Sequence, residues 1–265
     1  MRNVFDISTF NTEDSTRRFL AVAMELWQQC SSATTSPFHR YIGHLAQQGR
    51  LVRQYSQNVD WIEDQLFSLS TAGKPQAQNS ERNSPRMQIK GPWPSTIHLH
   101  GRLDLMRCHK CGASFPTTAE LLQGPTLPLC PACHQANECR LIQGKRALSL
   151  GRLRPDILLY GEESLDQDAI GRVCANDIRA RIDAVLVVGT RMKVPGAKRL
   201  AIELCQSVRA SSTGRATIWI SKDPPPSTYQ HLFDVVLIGD CDDVVGMDAF
   251  DNLGAEELFG KFATK

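Results

Sequence analysis

Two close cysteine pairs, Cys108-X2-Cys111 and Cys130-X2-Cys133, eighteen residues apart, constrain this chain more than any other feature. Each pair forms a tight knuckle that presents two sulfurs to one ion, and the spacer lies in the range of zinc ribbons. Zinc takes four thiolates in a tetrahedron at structural sites. Four sulfurs close the coordination shell, so no position is left to activate water, and one structural Zn2+ is expected. The surrounding stretch, about 95 to 151, is turn-rich and poor in periodic apolar pattern, so it needs such a staple to become ordered. His109, His134 and Cys139 lie nearby as substitute ligands. Redox-active or unpaired thiols are the alternative for the same four residues.

Bulk properties narrow the setting. The 265 residues allow one large domain or two small ones. No run of eighteen apolar residues occurs, so no membrane span is expected. Met1 to Thr12 mixes polar and apolar residues and lacks the apolar core of a secretory signal, which makes a reducing compartment the expectation. In that setting paired CxxC motifs read as metal sites. The formal charge is +2 with basic residues scattered, so no direct nucleic-acid binding is expected. The remaining cysteines, Cys30, Cys139, Cys174, Cys205 and Cys241, read as small buried residues.

Periodicity divides the chain into three stretches. The first is mainly helical. Ser15 to Cys30 puts Phe19, Val22 and Leu26 on one face, and His39 to Gln47 turns Ile42 and Leu45 inward. Leu51 to Tyr55 is loosely strand-like, and Thr71 to Pro94 reads as a surface connection. The cysteine stretch follows. In the third, strands are expected at Asp156–Tyr160, Ala184–Val188, Ala216–Ile220 and Asp234–Ile238, with a helix from Gly196 to about Arg209 and another from Met247. Strand, helix, strand at this spacing is a crossover unit. The expected class is therefore α/β: a Rossmann-like parallel sheet with an inserted small zinc-ribbon domain. Residues 1–94 and 148–265 would form the larger domain and 95–147 the zinc-binding module.

Several ordered motifs around the cysteines resemble the sirtuin family. They are Thr35-X2-Phe-His39, Tyr55-Ser-Gln-Asn-Val-Asp60, Leu99-His100-Gly101, Arg154-Pro-Asp-Ile-Leu-Leu-Tyr-Gly-Glu162, Val187-Val-Gly-Thr190 with Lys193-Val-Pro195, and Gly239-Asp-Cys-Asp242. The details Gly151-Arg-Leu-Arg-Pro155 and Lys222-Asp-Pro-Pro-Pro226 look most like the fungal nuclear branch that deacetylates histones. The resemblance runs from about Phe5 to Val245. It implies an NAD-dependent protein-lysine deacetylase, located in the nucleus, acting on an acetylated lysine in a protein such as a histone. The acyl group would pass to ADP-ribose with release of nicotinamide.

The resemblance also implies roles. His100 would be the general base that deprotonates a ribose hydroxyl, a task imidazoles suit because they titrate near neutral pH. Read alone it is an ordinary turn histidine. His98 would face the same side of an extended segment, and the choice of His100 rests on the Gly101 that follows it. Gln57, Asn58, Asp60, Gly189, Thr190, Ser221 and Cys241 would hold NAD, with Asp60 on the nicotinamide carboxamide and Cys241 and Asp242 near adenine. Tyr160-Gly161-Glu162 and Lys193-Val194-Pro195 would flank the substrate peptide, added as a strand.

The chain also departs from the pattern. The family's opening strand with its Gly-Ala-Gly-Ile-Ser loop, which cradles the pyrophosphate, and its Pro-Asp-Phe-Arg segment are not found. The larger domain is thus expected to be N-terminally incomplete. Ser56 replaces Thr, Trp61 a Gly, Arg191 a Ser and Ser221 an Asn. The alternatives are a non-catalytic, zinc-containing sirtuin-like binding protein and an incomplete gene model of an active sirtuin.

Overall fold

The computed structural model describes residues 2–67, 95–180, 182–210 and 215–245. The expected connection at 71–94 and the helix from Met247 lie outside these residues.

Two capped helices open the chain. Thr12 accepts from the Ser15 amide and starts α1, Glu13–Ser32. Ser36 caps α2, Pro37–Gln47, in a capping box closed by the His39 side chain, with Pro37 in the first turn. The helix therefore begins two residues before the position expected from periodicity. Next come β1, Gln54–Ser56, and α3, Ile62–Phe67. Then β2 spans Thr96–His98, β3 Gly101–Cys108 and β4 Ser114–Pro116. The short α4, Ala119–Leu122, leads to α5, Pro131–Ile142, and β5, Leu153–Ile157. The chain continues through α6, Gln167–Arg179, β6, Ala184–Val188, and α7, Pro195–Arg209. It ends, as described, with β7, Ala216–Ser221, β8, Val235–Ile238, and α8, Cys241–Val245.

The crossover unit forms as expected. β6, β7 and β8 run parallel in that order, and α7 connects the first two. All six residues of β7 are buried, as a strand covered on both faces requires. On one face Val185, Val187 and Trp219 meet Cys205 and Val208 of α7. On the other, Ile218 and Ile220 meet Val244 and Val245 of α8, with Phe38 and Tyr41 of α2 against them.

A second parallel pair, β1 with β2, stands apart as its own sheet. Among the described residues the outer sides of β1 and β6 carry no ladder partner. Side chains join the two sheets instead. Gln57, just past β1, donates from Nε2 to Thr190 Oγ1, just past β6, at 2.9 Å. Arg53 and Tyr55 both reach the buried Asp177 of α6, at 2.8 and 2.7 Å. That contact and burial together push the Tyr55 phenol up.

The strand expected at Asp156–Tyr160 occurs earlier, at Leu153–Ile157, and pairs antiparallel with β3 rather than in a parallel sheet. The order β4-β3-β5 makes this the sheet of the cysteine module. Its apolar side is shared with the first helix. Phe19, Leu20 and Ala23 of α1 pack with Leu103, Met106, Leu153 and three of the four paired cysteines in one core. Truncating Phe19, which is fully buried, would cost about 3–5 kcal/mol. Of the five unpaired cysteines only Cys205 is buried; Cys30, Cys174 and Cys241 are half-buried and Cys139 is exposed. Cys139 follows Cys133 by six residues on α5, about 240° around the helix, so it points away from the face that enters the core.

Candidate functional site

The four paired sulfurs converge. The ligand atoms of Cys108, Cys111, Cys130 and Cys133 all lie within 4.8 Å of one another, and they are the one such His/Cys/Asp/Glu group among the described residues. Cys108 Sγ stands 3.8 Å from Cys133 Sγ, and Cys111 Sγ 3.6 Å from Cys130 Sγ. A ZnS4 tetrahedron with Zn–S of about 2.3 Å has edges of about 3.8 Å, so the donor set fits zinc. Local backbone sets each pair. Gly112, at φ +73, turns the first knuckle back so that its amide donates to the Cys108 carbonyl at 2.8 Å. Pro131 opens α5 and places Cys133 on its first turn, while the Cys130 amide donates to the Gly151 carbonyl at 2.8 Å. A Cβ on Gly151 would run into Cys108 Sγ and stand 3.1 Å from Cys133 Sγ. The substitute ligands are not needed: His109, His134 and Cys139 lie outside the group.

The residues assigned to NAD gather at the carboxyl ends of the parallel strands, the crevice where such sheets bind ligands. Gly189 and Thr190 follow β6, and Ser221 closes β7. Gly189 adopts φ +61 and faces open space where a Cβ would stand, so a ligand can approach the backbone there. Its amide donates to the Ile220 carbonyl at 2.9 Å, and the Gly239 amide to the Ser221 carbonyl at 3.0 Å, which ties the three strand ends together. Thr190 Oγ1 accepts from both Gln57 and the Met192 amide, the latter at 3.1 Å. Cys241 begins α8 on the same side, its thiol pushed up by burial and by the neighbouring carboxylates of Asp242 and Asp240.

His100 joins this group through Gln57. Its Nδ1 lies 3.0 Å from the Gln57 carbonyl oxygen. A carbonyl only accepts, so Nδ1 carries a proton, and Nε2 is the nitrogen left to act as base when the ring is neutral. Gly101 follows at φ +78, crossing so close to β5 that a Cβ would overlap the carbonyl oxygen of Asp156. No other residue fits there. His98 points elsewhere: Nε2 faces Asp64 Oδ1 at 3.5 Å, and both ring nitrogens are buried without a hydrogen bond. The geometry thus separates the two histidines that the sequence left on one side.

Ser56 anchors the turn that carries Asn58. Its hydroxyl donates to Glu63 at 3.1 Å and accepts from the Asn58 amide at 3.2 Å. Glu63 also takes the Gln54 side-chain amide at 3.0 Å and is almost fully buried. Asp60 accepts from the Ile62 amide at 3.4 Å and so starts α3. Glu63 escaped the sequence reading because a glutamate beside Asp64 reads as a solvated helix face. The polar residues Gln54 and Ser56 upstream were the available signal.

Other expected site residues have partners of their own. Asp242 Oδ1 accepts from the Phe38 amide at 2.8 Å and from Ser36 Oγ at 2.7 Å, at the first turn of α2. The Tyr160 amide donates to Phe5 O at 2.8 Å and its carbonyl accepts from Ile7 N at 3.0 Å. The N-terminal segment therefore occupies that backbone edge. Glu162 binds Arg154 at 2.5 Å inside a polar cleft of about 50 Å³, also lined by His98, Arg107, His109 and Asp156. Arg107 is likewise paired, with Asp166 at 2.6 Å, so the charges lining the cleft are compensated. Lys193 is exposed, Val194 caps α7 and Pro195 is its first residue. Arg191 is 71 % exposed and pairs with Asp223 at 3.4 Å.

Comparison with known proteins bears on the family and the fold. The Sir2 family model matches residues 86–196. The chain is 35% identical over 242 residues to the NAD-dependent protein deacetylase hst4 of Emericella nidulans, covering 91% of this chain and 38% of that protein. It is 34% identical to the protein of the same name from Schizosaccharomyces pombe, over 90% of this chain and 54% of that one. To the NAD-dependent histone deacetylase HST4 of Saccharomyces cerevisiae it is 30% identical, over 93% and 65%. The chain thus spans between 38% and 65% of the length of these curated relatives. Among solved structures, a mutant Sir2 homologue in complex with ADP-ribose superposes with a TM-score of 0.65 at 22% identity, over 99% of this chain and 81% of that one. Sir2 bound to acetylated peptide gives 0.63 at 18%, over 99% and 84%.

Proposed function

The chain carries a Sir2 family domain, and from that premise we propose that it is an NAD-dependent protein-lysine deacetylase that uses His100 as its base. One observation carries the reading: His100, Gln57 and Thr190 form a continuous hydrogen-bonded series from the β2–β3 turn to the end of β6. The base and the strand-end crevice therefore share one rim. When bound there, NAD supplies an electrophilic ribose carbon and nicotinamide as leaving group. His100 Nε2, with its lone pair free, takes the proton of a ribose hydroxyl. Gln57 holds the ring through its carbonyl. Asn58 offers a donor and an acceptor to ribose hydroxyls, and Asp60 an acceptor to the carboxamide. Gly189 and Thr190 admit and bind the phosphate side, with Ser221 and Cys241 beyond. Zinc, held by Cys108, Cys111, Cys130 and Cys133, serves structure, since four thiolates leave it no open position.

The substrate is an acetylated lysine in a protein segment. A histone in the nucleus is the finer reading, supported by the relative from Saccharomyces cerevisiae, a histone deacetylase. The zinc-binding module, expected at 95–147, takes in β5 as well, since that strand pairs with β3, and the parallel sheet of β6, β7 and β8 belongs to the NAD-binding domain. The test is nicotinamide release coupled to loss of acetyl from an acetyl-histone peptide. No turnover by zinc-loaded protein rejects the reading.

A second reading is a non-catalytic, zinc-containing binding protein. It is favoured by Arg191, whose guanidinium stands in place of a hydroxyl and pairs with Asp223. Saturable NAD binding at micromolar concentration counts against it.

A further inference from the structure

We propose that the outer loop of the cysteine module, residues 140–152, is a docking surface for an acidic protein segment that also carries aliphatic side chains. Between Glu138 and Asp156 the chain has no carboxylate but five basic residues, Arg140, Lys145, Arg146, Arg152 and Arg154. Arg154 is buried and taken by Glu162. The other four lack a carboxylate partner among the described residues, and three of them donate only to neutral oxygens. Arg140 Nε reaches the Arg146 carbonyl at 3.1 Å, Lys145 Nζ the Gln143 side chain at 2.9 Å, and Arg152 the Leu127 carbonyl at 2.5 Å. Four uncompensated cations in one loop stand out in a chain whose formal net charge is +2.

The same loop exposes aliphatic surface. Leu141 is 58%, Ile142 86% and Leu148 50% exposed. Their exposure is not slack in the chain. Asn137 clamps Leu148 from both sides, accepting its amide at 2.8 Å and donating to its carbonyl at 2.5 Å. The Lys110 ammonium holds Ser149, and the Lys145 amide donates to the Arg140 carbonyl at 2.8 Å. The loop is therefore built before any partner arrives, which lowers the ordering cost of binding.

The mixture selects the occupant. Cations alone would suit a phosphate backbone, but a phosphodiester offers nothing for Leu141, Ile142 and Leu148 to bury against. An acidic segment with Leu or Phe among its carboxylates satisfies both components, pairing at the rim and burying apolar surface at the centre.

The experiment uses the full zinc-loaded chain and fluorescence anisotropy. The probes are a labelled peptide of Asp, Glu and Leu, the same peptide with each Leu replaced by Ser, duplex DNA, and phosphatidylserine vesicles. The Leu-containing peptide is expected to bind in the micromolar range, more tightly than the other three. Lys145→Glu with Arg146→Glu should weaken it by about tenfold or more, and Ile142→Ser by about threefold to tenfold. Ile142 is too exposed for its change to disturb the fold, and unchanged zinc content checks this. Arg199→Glu, on exposed α7 surface, should leave binding as it was. The proposal is overturned if the Leu-containing peptide does not bind, if the Ser peptide, DNA or vesicles bind equally well, or if Ile142→Ser has no effect.

Discussion

The metal centre and the strand-end rim are held in different ways. At the centre, backbone turns set each cysteine pair, the Gly112 turn and the Pro131 helix start, and one longer bond runs from Cys130 to Gly151. At the rim, the residues come from β1, the β2–β3 turn, β6, β7 and α8, and single side-chain bonds such as Gln57–Thr190 span the elements. The centre tolerates no substitution at its sulfurs, and its ligand geometry is set by local turns, although α1 packs against it. The rim depends on long-range packing, and it is there that Arg191 and Ser221 depart from the family pattern while the four cysteines are complete.

The largest expected effect breaks the centre. Cys130→Ala should abolish zinc binding, measured by metal analysis, and melt the β4-β3-β5 sheet, because structural zinc contributes about 10–16 kcal/mol of apparent binding free energy. Next, His100→Asn should lower nicotinamide release by about 10²–10⁴-fold while zinc content and thermal stability stay unchanged. An equal loss of zinc in that variant would erase the distinction between the two regions. Gly151→Ala adds one methyl against two sulfurs. Zinc affinity, read by chelator competition, should fall by about 10–100-fold with little change in NAD binding.

The smallest effect sharpens the boundary between the regions. Burial alone would raise the Asp64 carboxyl, but His98 and Arg102 outweigh it and hold it below its usual range. A folded pKa below the unfolded one contributes stability above the unfolded value, lost as pH falls through the folded value. Asp64→Asn should therefore flatten the acid limb of a stability profile below about pH 4, and cost about 0.5–1 kcal/mol at neutral pH, given that Asp64 is partly solvated.

Legibility in the sequence follows the same division. The cysteine spacing is local and could be read directly. So could the crossover, because Ala184–Val188 and Ala216–Ile220 are apolar runs joined by an amphipathic helix. The β5 strand was placed late because Asp156–Tyr160 looks apolar by itself. Its limits are set by β3, which pairs from Gly101↔Ile157 to Cys108↔Leu153. Burial of Asp177 could not be read, since its partners, Tyr55 on β1 and Arg53 just before it, lie more than a hundred residues earlier. Cys139 was misjudged because composition says nothing of helical phase. For the site residues, the motif order gave the candidates. The choice of His100 over His98 rested on Gly101; the fold adds that His98 faces Asp64 and that Asp242 bonds the first turn of α2.

The core shared by α1 and the cysteines has a practical corollary. Trp27 and Trp61 pack against that core, whereas Trp219 is sealed under α7 in the parallel sheet. With Trp93, which lies outside the described residues, replaced by Phe, indole emission is thus a built-in gauge for each region. Stripping the metal should redden the first two fluorophores and leave the third dark to quenchers, so one cuvette can report which part of the molecule has let go.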